Sequence, residues 1–103
     1  MMAIPDYQSL MLPLLTLVSN EEGRIPDLAE RIADNFNLSQ EQRSIRVASG
    51  TKTLLIDRLH WAKTYLHKAG LVVGLRRGVF IASDAGRALL TKKPPKIDID
   101  ILK

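Results

Sequence analysis

Two arginines stand side by side, Arg76 and Arg77, in the stretch Gly74-Leu75-Arg76-Arg77-Gly78, with Leu71-Val72-Val73 before it and Val79-Phe80-Ile81 after it. A planar guanidinium binds phosphate through paired N–H donors, so two of them at a chain reversal suit an anionic partner. Surface ion pairing gives them little purpose, since no acidic residue lies between Gly70 and Ile81. Charges on an exposed hairpin also discourage edge-to-edge strand pairing, and that second duty stays open. Upstream, Thr53, Asp57, His60, Thr64 and Lys68 recur at helical spacing, with His67 close to the same line. Hydroxyl, imidazole and ammonium groups in such a row can meet base edges and phosphates. Asp57 can accept from a cytosine amino group or pair with Arg58. Any solvated helix face presents a similar row, so both readings stand. Lys52 and Thr53 fall in the first turn of this helix, where free N–H groups already favour an anion. A lysine there opposes the helix dipole, which makes more sense if its partner is a phosphate.

Catalytic patterns are missing. His60 and His67 are too far apart for a metal pair one turn apart, and no nearby carboxylate completes a site. The closing Asp98-Ile99-Asp100-Ile101-Leu102-Lys103 resembles in outline the acidic pair and lysine of a magnesium-dependent nuclease. Two residues separate Asp100 from Lys103 where that motif has one. Nucleophile–base arrangements and phosphate-cradling glycine loops are absent too. The chain is therefore expected not to be an enzyme itself, and to use no cofactor and no small-molecule substrate. Trp61 and Tyr65, one turn apart, are expected to form a wall of the core shared with helix one or the hairpin, in preference to a stacking site for an extruded base.

Composition narrows the partners. The chain has 103 residues, enough for one modest core, and a net charge of +4. That charge is segregated: residues 1–42 carry a net of −5 and residues 43–103 a net of +9. One surface built to meet an anion would explain it, and nucleic acid is the commonest such partner. With no cysteine, neither a disulfide framework nor cysteine-ligated zinc is available, which fits a reducing cytoplasm. The apolar run Leu10–Val18 is broken by Pro13 and Thr16 and falls far short of the ~20 residues of a membrane span. No cationic segment precedes it to make a signal peptide.

The positioning elements follow from periodicity and caps. Asp6 is placed to cap a first helix reaching about Ser19, with Leu10, Leu14, Leu17 and Val18 inward; Pro13 either kinks it or marks its first turn. Asn20–Gly23 reads as a turn, and Arg24-Ile25 as a very short strand. A second helix is predicted from Pro26 or Asp27 to Phe36, followed by Asn37 in the left-handed conformation. Ser39 and Gln42 form a capping-box pattern for a short third helix. After the loop Arg46–Thr53, a long helix from Thr51 or Thr53 to Lys68 buries Leu55, Leu59, Ala62, Leu66 and Ala69 and ends at Gly70. A β-hairpin with the loop Gly74–Gly78 comes next, then a helix Asp84–Thr91 capped by Ser83 and stopped by Lys92-Lys93-Pro94-Pro95-Lys96. The predicted fold is α+β and mostly helical: a winged helix-turn-helix with a two-stranded hairpin wing and a final helix. In that plan the long helix enters the major groove and the wing lies on the neighbouring backbone. Residues 1–92 would form this domain and residues 93–103 a linker or tail.

The segments "IPDYQSLMLPLLTLV", "NFNLSQEQR", "ASGTKT…RLHWAKTYLHKAGL" and "RRGVFIASDAGRALL" together resemble the N-terminal domain of the Mrr family of modification-dependent restriction endonucleases. The likeness spans about residues 4 to 102. It implies a DNA-binding winged helix in a protein whose separate nuclease domain, absent from this sequence, cuts DNA with magnesium. It also implies that Lys63, Thr64, Lys68, Arg76 and Arg77 lie on the DNA-facing helix and wing, and that Pro13 sits inside a kinked first helix. His60 stands where the family more usually has a small residue. The DNA-binding set is thus Lys52, Thr53, His60, Lys63, Thr64, His67, Lys68, Arg76 and Arg77, with duplex DNA as partner. Neutralising about five phosphates implies a log–log salt slope near −4 to −5. Two other readings share the fold: a stand-alone transcriptional regulator, expected to dimerise, with the apolar tail Ile97-Ile99-Ile101-Leu102 available as a strand or as a dimer contact, and a protein-interaction module indifferent to DNA.

Overall fold

A computed structural model describes residues 4–97. Helix α1 (Tyr7–Leu17) starts where the Asp6 carboxylate accepts from the Ser9 N–H at 2.8 Å. That bond also holds the Asp6 carboxyl below its ordinary range. Pro13 lies inside α1, well past its first turn, where it removes one donor from the helical ladder. Helix α2 (Ile25–Asn35) begins with Pro26 at its second position. The short strand expected at Arg24-Ile25 is not formed. Gly23 alone bridges to Phe80, its N–H and carbonyl both bonded to the Phe80 backbone at 2.9 and 3.1 Å, while Arg24 is already the helix cap. Ser39 and Gln42 make the full capping box of α3 (Gln40–Arg43), reached through Asn37 at φ 53.

Helix α4 (Leu54–Lys68) is capped by Thr53, whose hydroxyl accepts from the Ile56 N–H. Lys52 therefore precedes the helix instead of lying in its first turn. The loop before it is closed by an Arg46–Thr53 bridge. Leu55, Leu59, Ala62 and Leu66 are buried, as their spacing predicts. Gly70, at φ 76, turns the chain out of the helix into the hairpin.

The hairpin pairs β1 (Val72–Arg76) with β2 (Val79–Ala82), antiparallel, with a register shift between Gly74 and Arg76. The five-residue loop expected at Gly74–Gly78 is therefore too long. Strand pairing continues through the bulge to Arg76↔Val79, leaving Arg77 and Gly78, the latter at φ 76, as the turn. Helix α5 (Asp84–Thr91) follows its Ser83 cap. Its buried Gly86 packs so close to the Leu71 backbone that a Cβ there would lie 2.1 Å from the Leu71 carbonyl oxygen, so only glycine fits. The order three helices, long helix, hairpin, helix is an α+β winged-helix layout.

Leu10, Met11, Leu14 and Leu15 of α1, Ile32 of α2, Leu59 and Leu66 of α4 and Phe80 of β2 form one core. Leu17, expected inside, is only partly buried. Ile97 is fully buried in this same core, so that residue serves its own fold and not a dimer contact. Ile99, Ile101, Leu102 and the Asp98–Lys103 motif lie outside the described residues. No described helix is long and apolar enough to cross a membrane.

Candidate nucleic-acid interface

Helix α4 is fastened to the body at both ends, which fixes what its outer face presents. Near its start, Arg58 donates to the carbonyls of Ile4 and Pro5. This contact replaces the Asp57–Arg58 pair considered from sequence; Asp57 instead holds Lys52 at 3.1 Å. Beyond its end, the Ser83 hydroxyl donates to the Gly70 carbonyl. Between these fasteners, Tyr65 packs against the core and stacks on Tyr7 with ring centroids 4.9 Å apart.

The outer face carries His60, Thr64, His67 and Lys68, all exposed. Together with the half-buried Lys63 and with Gly74 of β1, they line a groove of about 310 Å³ between helix and hairpin. None of these lining residues is acidic. Gly74 forms the strand side of the groove, and a Cβ built there would meet nothing within 4 Å. Lys63 spans toward the sheet, its ammonium 4.9 Å from the Phe80 ring centroid. The Thr64 hydroxyl donates to the His60 carbonyl at 2.9 Å, leaving its acceptor capacity free. Burial, and then the charges of Lys52 and Lys63, hold the His60 imidazole below its ordinary pKa, so at neutral pH it is an uncharged donor–acceptor.

Five of the nine residues singled out from sequence, His60, Lys63, Thr64, His67 and Lys68, thus share one groove. The other four do not line it. The Thr53 hydroxyl is committed to its cap. Lys52 is paired with Asp57. Arg76 has a partner that its own segment could not supply: its guanidinium lies 2.8 Å from the Glu22 carboxylate, beside Gly23, Arg24, Asp27 and Val79. Arg77, at the turn, has no acidic partner among the described residues. The larger hollow of about 530 Å³ lies elsewhere, between α1 and α5, lined by Leu12, Thr16, Leu90 and Pro94 among others. Its Arg87 is already engaged by Asp84 and the Ala82 carbonyl, and the exposed Lys93 also lines it.

One outward residue escaped the sequence reading. Trp61, expected in the core wall with Tyr65, is 53% exposed. At 100° per residue it sits roughly 20° around the helix from Lys68, which a helical projection alone would have revealed. Among the described residues, no three His, Asp or Glu side chains converge on a metal site.

The element order and the cationic groove beside the long helix define a small winged-helix domain. The chain belongs to the Mrr N-terminal domain family, whose family model matches residues 7–92. Over 87 residues it is 33% identical to a type IV methyl-directed restriction enzyme, EcoKMrr, of Escherichia coli strain K12. That alignment covers 82% of this chain and 28% of the enzyme, so the chain spans little more than a quarter of its relative's length. No solved structure matches the chain.

Proposed function

We propose that this chain is the DNA-recognition module of an Mrr-type restriction enzyme, binding duplex DNA in the cytoplasm without cutting it. Helix α4 lies in the major groove, where Thr64, His60 and His67 meet base edges and Lys63 and Lys68 meet phosphates. Arg77 at the turn reaches the adjacent backbone, and Arg76 joins it when released by Glu22. Lys52 and Thr53 act at the start of the helix, the threonine by holding the cap with its hydroxyl. Cleavage belongs to a separate nuclease domain using magnesium.

The observation that carries this reading is the acid-free groove of His60, Lys63, Thr64, His67 and Lys68 along the outer face of α4, open beside the hairpin. An ordinary solvated helix face interleaves both signs of charge; this one keeps its only acid, Asp57, tied to Lys52. Fluorescence anisotropy of a labelled duplex, titrated at several salt concentrations, tests it. The expected log–log slope lies between about −2.7, for Lys63, Lys68 and Arg77 alone, and about −4.5, if Lys52 and Arg76 also exchange their carboxylates for phosphates. A slope near zero, or no binding at low salt, refutes the proposal.

A further inference from the structure

Gly50, Gly70 and Gly78 each hold a left-handed backbone, and Gly86 leaves no room for a Cβ beside the Leu71 carbonyl. Gly74 has neither reason. Its φ is not positive, and a Cβ built there would meet only open space. It stands inside β1, where glycine weakens a strand and supplies no side chain to pack. The bulge between Gly74 and Arg76 does not call for it either, because the kind of bulge that needs glycine needs it left-handed. A strand glycine without a conformational or packing cause marks a place where a ligand or another backbone comes close.

The ladder shows what Gly74 offers to such a ligand. The Phe80 N–H and carbonyl both bond to Gly23, on the side of β2 away from β1. Gly74 is the Cα partner of Phe80, and at a non-hydrogen-bonded position of an antiparallel pair both residues turn their backbone groups outward. The Gly74 N–H and carbonyl therefore face the open edge of β1, which has no further strand beside it among the described residues. The same residue lines the groove of His60, Lys63, Thr64, His67 and Lys68. Lys63 brings a charge close by, its ammonium lying 4.9 Å from the ring centroid of Phe80, directly across the ladder from Gly74. A spare N–H, a neighbouring cation and no side chain in the way suit a phosphate oxygen.

We propose that Gly74 is a positioning residue that seats one backbone phosphate of the bound duplex on the open edge of β1, the phosphate accepting from the Gly74 N–H while Lys63 balances its charge. This rests on the DNA-binding reading above and adds a main-chain anchor in the wall of the groove, separate from the arginines of the turn. Arg76 of the same strand is held by Glu22, so at this point the strand meets the duplex through its backbone.

The full chain, labelled for amide NMR, is titrated with a short duplex and, separately, with inorganic phosphate at matched ionic strength. With six glycines in the chain, the Gly74 amide can be followed individually. Saturating duplex is expected to move its proton downfield, the direction of a hydrogen bond to an anionic oxygen, and inorganic phosphate to produce only a weak shift of the same sign. Gly74→Val should melt at or above the wild-type temperature, because the side chain has open space and valine favours a strand. Its duplex affinity should fall by about 10-fold, the loss of one charge-assisted hydrogen bond. Its log–log salt slope should become shallower by about 0.9, one phosphate fewer. Gly74→Ala should keep part of the affinity. A glycine kept for the fold would give the opposite pattern, a lower Tm with unchanged binding, and that result overturns the inference. A Gly74 amide unmoved by saturating duplex, or wild-type affinity and slope in Gly74→Val, also overturns it while leaving salt-dependent binding intact. A full shift with inorganic phosphate that duplex does not reproduce makes the edge a free-anion site and overturns it too. Absence of duplex binding by the wild-type chain at low salt overturns the DNA-binding reading itself, and this one with it.

Discussion

Glu22→Gln is the substitution that most directly separates paired from available charge on the hairpin. Arg76 and Glu22 are 54 positions apart in sequence, and their side chains meet at 2.8 Å while remaining 62% and 44% exposed. A pair so well solvated contributes at most about 1 kcal/mol, but it decides which cations face a phosphate. With the pair intact, Lys63, Lys68 and Arg77 remain, and at about −0.9 per phosphate they imply a slope near −2.7. Removing the Glu22 charge adds Arg76 and moves the slope to about −3.6. At a fixed moderate salt concentration, affinity should rise by up to about 5-fold, the equivalent of 1 kcal/mol. The assay is the anisotropy titration run in parallel on both proteins, with thermal melts to show that the exposed substitution leaves stability within about 0.5 kcal/mol. Identical slopes, or a wild-type slope already near −4.5, refute the idea that Glu22 withholds Arg76.

The pH dependence follows from His60. Because its folded-state pKa is depressed, the folded chain binds this proton less readily than the unfolded chain, so its contribution to stability is complete above about pH 6.5 and declines as pH falls through that value. Phosphates reverse the shift in the complex, so DNA affinity should rise as pH falls through the same region at constant ionic strength; an unchanged pH profile in His60→Gln refutes the assignment. Gly86→Ala forces a Cβ to within 2.1 Å of the Leu71 carbonyl oxygen and is expected to cost about 1–3 kcal/mol, lowering Tm by roughly 4–8 °C for each kcal/mol. A melt unchanged from wild type would show that α5 can slide to make room. Ile97→Ala should cost about 2–5 kcal/mol in chemical denaturation if that residue belongs to the core; a loss under 1 kcal/mol contradicts its place there.

What sequence could reveal was what local chemistry decides. The stripe Leu55, Leu59, Ala62 and Leu66 fixes the buried side of α4, and by subtraction places His60, Thr64 and Lys68 outside. Ser39, Thr53 and Ser83 announce helix starts through side chains that accept from the backbone three residues on. Asn37 and Gly70 announce the ends, where only a left-handed residue continues the path. What escaped depends on residues far apart in the chain. The Arg76–Glu22 and Arg58–Ile4 contacts join positions that no window spans together. The strand at Arg24-Ile25 failed because one bonded residue, Gly23, suffices to dock the hairpin before Pro26 starts a helix. The wing loop was overextended because a bulge lets pairing resume at Arg76, and alternation alone does not show a bulge. Aromatic character favours an inward Trp61, whereas its position around the helix points outward, where the structure has it.

The double backbone link between Gly23 and Phe80 makes the wing a fixture of the body rather than a free flap. Below the tip, Val72, Val79, Phe80 and Ala82 are buried; above it, Leu75, Arg76, Arg77 and Gly78 bear none of that burden. Side chains at 75–77 can therefore be exchanged with little consequence for folding, provided Gly78 keeps its turn. If the domain binds DNA as proposed, its grip on the phosphate backbone can be changed by rewriting a few letters at one corner, leaving the scaffold that presents them untouched.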